Sequence, residues 1–100
     1  IAVDDGSSDD TLERLKANAD PRVKVISSDH GGVCHARNSA LKVAEGEFVA
    51  FLDADDRWDR SFLEKLLRRL SQQPDAVIAY CGWQNIGLEG AMAEPFVPPE

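Results

Sequence analysis

Short apolar runs alternate along this chain with longer segments that have helical spacing. The apolar runs cover residues 1–3, 23–26, 47–52 and 76–80, and are rich in valine, isoleucine and phenylalanine. Such runs are typical of strands in a parallel sheet. Apolar residues recur every three or four positions over 10–19, 31–46 and 61–73, which predicts three helices. The order β-α-β-α-β-α-β predicts an α/β fold, with a mainly parallel sheet and flanking helices.

Local signals mark where the predicted helices begin and end. Asp10 with Glu13, and Ser61 with Glu64, have the spacing of a capping box at a helix N-terminus. Gly46 stands where a glycine cap is expected at the C-terminus of the second helix. Prolines follow the first and third helical segments and are expected to end them.

The composition is that of a small soluble domain. The 100 residues are 43% hydrophobic and 29% charged, with a net charge of −7, which argues against a nucleic-acid or anionic-membrane surface. No apolar stretch has the roughly 18 residues that a membrane helix needs. Two cysteines are too few for a disulfide framework and favour buried free thiols in a reducing compartment. We expect residues 1–100 to be one partial domain of a longer cytoplasmic protein, with membrane association left to other segments.

Carboxylates follow two of the predicted strands. Asp4 and Asp5 open a first acidic loop (residues 4–10), and Asp53, Asp55 and Asp56 form a second acidic loop (residues 53–56). In a parallel sheet both loops lie at the edge where open α/β sheets bind ligands. Clustered carboxylates repel one another unless a cation or a hydrogen-bond donor compensates them. Their oxygens favour Mg²⁺ or Mn²⁺ and also accept hydrogen bonds from a base or a ribose. The two loops therefore suit a nucleotide diphosphate.

Three motifs, taken together, resemble those of the family 2 glycosyltransferases. They lie at residues 3–11, 32–38 and 46–56 and read VDDGSSDDT, GVCHARN and GEFVAFLDADD. The resemblance covers nearly the whole chain. It implies the Rossmann-like GT-A fold of nucleotide-diphospho-sugar transferases, with residues 1–100 forming the donor-binding half of the domain.

The resemblance also implies which residues hold the donor nucleotide. One of Asp4 and Asp5 would hydrogen-bond the base, usually the uracil of a UDP-sugar, in a loop continued by Gly6 and Ser7. Arg37 would reach the nucleotide from its helix. Which of the two aspartates contacts the base stays open at this point.

A metal-assisted and inverting sugar transfer is the reaction that the resemblance implies. Asp53 and Asp55 would form the DxD motif, with Asp53 near the ribose and Asp55 on the Mn²⁺ or Mg²⁺ ion that bridges the diphosphate. The ion would neutralise charge on the leaving nucleotide diphosphate. The catalytic base is expected beyond Glu100, so none is assigned here and the chain alone is expected to be inactive. The acceptor, a saccharide, a lipid or another molecule, is not specified.

Two alternative functions stay open. A non-catalytic nucleotide-sugar-binding domain would carry the same motifs. A phosphatase or phosphotransferase would use Asp53 as nucleophile and Asp55 as acid. That class expects glycine and then threonine or valine after the second aspartate, whereas Asp56 and Arg57 follow here. Exposed sheet edges in a partial fold also make an oligomer a candidate state.

Overall fold

A parallel pair of strands organises the first part of the chain. The computed structural model describes residues 1–18, 20–87 and 94–98, in two units, Ile1–Phe51 and Leu52–Glu100. The elements of the first unit are strand β1 (Ala2–Asp4), helix α1 (Thr11–Lys16), strand β2 (Val25–Ser27) and helix α2 (Val33–Leu41). The two strands are parallel, and both helices contact β1. This arrangement confirms the predicted α/β class with a parallel sheet.

The register of the two strands fixes where the first acidic loop begins. Ala2 lies opposite Val25, and Asp4 lies opposite Ser27. The ladder closes with a hydrogen bond from the Ser28 N–H to the Asp4 carbonyl, at 2.9 Å. Residues 5–10 and the residues after Ser28 therefore leave the sheet together, at its carboxyl edge.

The second unit contains one helix and one aromatic bridge. Helix α3 (Phe62–Gln72) follows Trp58, whose ring stacks on that of Phe62 with centroids 4.6 Å apart. Further along, Trp83 and Phe96 exchange two backbone hydrogen bonds, at 3.1 and 2.8 Å, in an isolated antiparallel bridge. Their rings lie 5.9 Å apart and add a side-chain contact to the bridge.

Two of the four predicted strands are not formed. Residues 47–52 and 76–80 have no strand assignment, and in the described part of the chain no backbone hydrogen bond joins either segment to another strand. Phe48, Phe51 and Leu52 are about half exposed. An apolar run expresses only a preference for burial, whereas a strand also needs a partner with free N–H and C=O groups. The prediction that these two apolar segments form strands was therefore wrong.

Neither predicted capping box forms. Asp10 and Ser61 do occupy N-cap positions, but neither side chain makes a capping hydrogen bond. Asp10 instead accepts a hydrogen bond from the Arg14 side chain, and Ser61 donates its hydroxyl to Asp59. Glu64 pairs with Arg68 one turn along α3. The side chains that would form the capping boxes thus bind nearby charged groups instead.

The first two helices end earlier than predicted. Helix α1 stops at Lys16, and the predicted end at Ala19 lies outside the described residues. Helix α2 stops at Leu41, after which Val43 and Ala44 make hydrogen bonds to residues three positions back. This tighter turn ends the helix before Gly46. Gly46 lacks the positive φ that a glycine cap requires, so the predicted cap is not formed. Helix α3 ends one residue before the predicted position.

The described residues bury little apolar surface within this chain. No hydrophobic side chain among them is fully buried, and Asp4 is the single buried residue. Cys34 and Cys81 are free but exposed, which corrects the expectation of buried thiols. Within the described ranges, no helix is long and apolar enough to cross a membrane.

Candidate functional site

The Asp5 carboxylate is the best-connected group at the carboxyl edge of the sheet. It joins the first acidic loop to residues 28–32, which we call the glycine loop. Its Oδ1 accepts hydrogen bonds from the Ser28 hydroxyl at 2.9 Å and the Gly31 N–H at 3.0 Å. Its Oδ2 accepts from the Gly32 N–H at 2.7 Å, with a longer contact to Gly31 at 3.2 Å. Three donors therefore hold one carboxylate at the N-terminus of α2.

These donors favour the ionised form of Asp5. The pKa of Asp5 lies below its usual value because of hydrogen bonds, first from the Gly31 N–H and then from the Ser28 hydroxyl. The His30 ring contributes as well, with Nδ1 2.9 Å from the Asp5 carbonyl oxygen. His35 Nδ1 lies 4.0 Å from Oδ1 of Asp5. The side chain of Asp5 is still 21% exposed, so a ligand can reach it.

Asp4 lies in a very different environment. Only 4% of the residue is exposed, and its Oδ1 has no hydrogen-bond partner among the described groups. Its Oδ2 accepts one long hydrogen bond, 3.4 Å, from the Ser7 N–H. A buried carboxylate oxygen without a donor is costly. Of the two adjacent aspartates, Asp5 is partly exposed and Asp4 is enclosed.

Glycines allow the first acidic loop and the glycine loop to approach each other. Gly6 has φ +80°, and a Cβ there would lie 3.2 Å from the backbone nitrogen of His30. Gly32, the N-cap of α2, has φ +83° and is the donor closest to the Asp5 carboxylate. Side chains are disfavoured at both positions because of this backbone geometry. Asp5-Gly6 and Gly31-Gly32 are thus joined, because Asp5 accepts hydrogen bonds from both glycines of the pair.

Arg37 lies on α2, within the same unit. Its guanidinium sits over the ring of Phe51, 5.8 Å from the ring centroid, a distance at which a cation and an aromatic face attract each other. The contact links α2 to the apolar segment that precedes the second acidic loop. The structure therefore brings Asp4, Asp5, Gly6, Ser7 and Arg37 into one α/β unit.

The second acidic loop belongs to the second unit. Its residues form a turn, closed by a hydrogen bond of 3.1 Å from the Asp56 N–H to the Asp53 carbonyl. Asp55 occupies the middle of that turn. In the described ranges no group of three or more potential ligands is placed to hold a metal. A pair of carboxylates still fits Mg²⁺ or Mn²⁺, because these ions are often held by one or two carboxylates together with substrate phosphates.

The sequence pattern did not reveal the partners of Asp5. Ser28 and His30 carry no motif signal, since single serines and histidines are common in loops. The pair Gly31-Gly32 before a helix did offer a signal, because free N–H groups at a helix N-terminus favour a carboxylate partner. Only the parallel register shows that Asp5 is that partner.

Acid should weaken the contribution of Asp5 to folding. Its pKa is lowered in the folded state, so its stabilising effect is complete above about pH 4, the ordinary aspartate pKa, and is lost as the pH falls through the lower folded value. We expect the stability difference between the wild type and Asp5→Asn to be largest near pH 7 and to shrink below pH ~4. Urea unfolding of the full-length protein across this range measures it. Asp29→Asn, which removes an exposed charge from the same glycine loop, is the control variant.

The fold and the site define a class of protein: a parallel α/β domain with an acidic loop at the carboxyl end of a strand. Comparison with known proteins is more specific. The family model described as "Glycosyl transferase family 2" matches residues 1–91. The chain therefore belongs to glycosyl transferase family 2, which carries the GT-A fold. No solved structure matches it significantly.

Curated relatives agree with this assignment. The Bacillus subtilis (strain 168) protein TuaG, provisionally named a teichuronic acid biosynthesis glycosyltransferase, is 35% identical over 97% of this chain and 39% of its own length. The Escherichia coli β-1,3-glucosyltransferase WfgD, whose name gives UDP-Glc and α-D-GlcNAc-diphosphoundecaprenol as substrates, is 43% identical over 64% of this chain and 26% of its own. The chondroitin synthase of Pasteurella multocida (strain Pm70) is 32% identical over 88% of this chain and 9% of its own length. The chain thus spans well under half of each relative.

Proposed function

We propose that this chain forms the donor-binding part of a glycosyltransferase that transfers a sugar from a nucleotide diphosphate, UDP in the first instance. The observation that carries the proposal is the Asp5 carboxylate, oriented by three donors and still partly exposed at the carboxyl edge of a parallel sheet. Ligands of open α/β sheets bind at this edge. Membership of glycosyl transferase family 2 supports a sugar nucleotide as the ligand.

Within the first unit, we assign the base contact to Asp5 rather than Asp4. An ionised and accessible carboxylate can accept the N–H of a uracil, whereas the Asp4 oxygens are enclosed. Gly6 and Ser7 would give the loop its path beside the nucleoside. Arg37, a permanent cation on α2, would attract the phosphates of the donor.

In the second acidic loop, Asp55 would hold a Mn²⁺ or Mg²⁺ ion, and Asp53 would lie near the ribose and share the metal. The hard oxygen donors of the two residues suit either ion. A bound ion supplies charge compensation for the diphosphate leaving group. The turn formed by residues 53–56 supports this proposal, because it keeps the backbone of Asp53 close to that of Asp56.

The proposed reaction joins an acceptor hydroxyl to the anomeric carbon of the sugar. The new C–O bond forms as the bond to the nucleotide diphosphate breaks, with inversion at the anomeric carbon. The hydroxyl proton passes to a base, for which we assign no residue between Ile1 and Glu100. The proposed acceptor is a saccharide or a lipid-linked saccharide, and the proposed site of action is the cytoplasm. WfgD, a relative, is named for a lipid-linked acceptor.

Titration of UDP into the full-length protein, with and without Mn²⁺, tests this function. We expect UDP to bind and Mn²⁺ to increase its affinity by roughly tenfold or more, since the ion offsets charge between phosphate and carboxylates. ADP is the matched control and should bind more weakly. Absence of UDP binding would rule out the donor assignment, and binding indifferent to Mn²⁺ would rule out the metal. Binding of a UDP-sugar without turnover would favour the non-catalytic alternative.

A further inference from the structure

The glycine loop contains a hydroxyl directed at the carboxylate that we assign to the donor base. Ser28 follows β2 by one residue, and its N–H completes the strand ladder by donating to the Asp4 carbonyl at 2.9 Å. Its side chain is thereby fixed beside the first acidic loop. The Ser28 hydroxyl donates to Asp5 Oδ1 at 2.9 Å, in a partly buried contact between residues 23 positions apart.

We propose that Ser28 is a positioning residue for sugar transfer, because its hydroxyl orients the Asp5 carboxylate toward the nucleoside of the donor. The inference rests on the proposed function of Asp5. Ser28 acts on one oxygen, Oδ1, while Gly32 holds the other, Oδ2, and Gly31 lies between the two. Removing the hydroxyl leaves Oδ1 with the Gly31 N–H as its one described donor, so this oxygen is held less firmly than Oδ2.

Of the three donors to Asp5, Ser28 alone donates through a side chain, which a single substitution can remove. Gly31 and Gly32 donate through backbone N–H groups, which only a proline would remove. Ser28 is the one side-chain hydroxyl described on Asp5 and thus the part of this arrangement that the sequence can vary. Residue 28 is therefore the position at which a side chain sets the orientation of Asp5.

Several other ionisable groups face Asp5. Asp4 precedes it on β1, His30 contacts its carbonyl from the glycine loop, and His35 approaches Oδ1 from α2 at 4.0 Å. The effect of Ser28 must be separated from theirs. A hydrogen bond to the charged form lowers the pKa of a carboxyl group, so loss of the hydroxyl raises the pKa of Asp5.

The experiment compares Ser28→Ala, Ser28→Thr and the matched control Ser27→Ala in the full-length protein. Ser27 is the exposed last residue of β2, one position earlier. We expect Ser28→Ala to weaken UDP binding by roughly three- to tenfold, the usual size for one ordinary hydrogen bond, because Ser28 acts on the nucleotide only through Asp5. Ser28→Thr should restore it, and Ser27→Ala should leave it unchanged.

A pH profile separates positioning from a general structural role. In Ser28→Ala the loss of UDP affinity in acid should begin at a higher pH than in the wild type, and this shift should vanish in an Asp5→Asn background. The Asp5 carboxyl titration, followed by carbon NMR without nucleotide, should shift in the same direction. An unchanged titration and unchanged UDP affinity in Ser28→Ala would overturn the inference. Failure of the wild type to bind UDP would instead overturn the function proposed for Asp5, and the NMR result would still decide whether Ser28 controls this carboxylate.

Discussion

Asp55→Ala is expected to lower sugar transfer by the full-length protein by about two to three orders of magnitude. A bound divalent ion is worth several kcal/mol at a developing negative charge, and about 1.4 kcal/mol corresponds to a factor of ten in rate. The rate of UDP release from a UDP-sugar measures the effect. Binding of Mn²⁺ in the presence of UDP, followed by electron paramagnetic resonance, should weaken in parallel.

Asp56→Ala is the matched control for Asp55. It removes an equal charge from the next position of the same turn, while its backbone N–H can still donate to the Asp53 carbonyl. We expect a change of less than about threefold, as for an exposed charge that makes no direct contact with the ligand. Equal losses in the two variants would show that the turn needs negative charge in general, and would contradict a ligand role specific to Asp55.

The second large effect concerns the two neighbouring aspartates: the same substitution should weaken UDP binding at Asp5 and leave it nearly unchanged at Asp4. Asp5→Asn is expected to weaken UDP binding by about ten- to hundredfold, because hydrogen bonds to an ionised acceptor are the stronger kind. The asparagine amide also points donor hydrogens at the donors of the glycine loop. Isothermal titration with UDP at neutral pH measures the loss.

Asp4→Asn is expected to keep UDP affinity within about threefold and to raise the free energy of unfolding by about 1 kcal/mol. The substitution replaces a buried charge that has an unpartnered oxygen with a neutral group of the same shape. Urea unfolding provides the measurement. If Asp4→Asn lost UDP binding and Asp5→Asn retained it, the assignment of the base contact would have to be reversed.

Much of the candidate site could be predicted because its residues are close in sequence. Asp4, Asp5, Gly6 and Ser7 are consecutive, and the apolar run before them marks a strand. Placing them at the carboxyl edge of a parallel sheet needs only the order of strands and helices. The structure agrees, since β1 ends at Asp4 and pairs in parallel with β2.

Predictions of hydrogen-bond partners were less accurate. The capping boxes at Asp10 and Ser61 failed because Arg14 and Asp59 offered charged alternatives nearby. The strands at 47–52 and 76–80 failed because an apolar run does not specify a neighbour. In both cases the local pattern indicated which hydrogen bonds a segment could make. The partners available in the folded chain determined which hydrogen bonds form.

By itself, then, the sequence determined the α/β class, the family and the carboxylates available for a donor and a metal, because motifs and hydrophobic periods are local properties. The tertiary structure alone distinguished Asp5 from Asp4. Parallel pairing of β1 with β2 brings Ser28, Gly31 and Gly32 to Asp5, across more than twenty residues of chain, and encloses its neighbour. Two adjacent residues of the same type have the same local chemistry, so only the contacts made by folding can give them different roles.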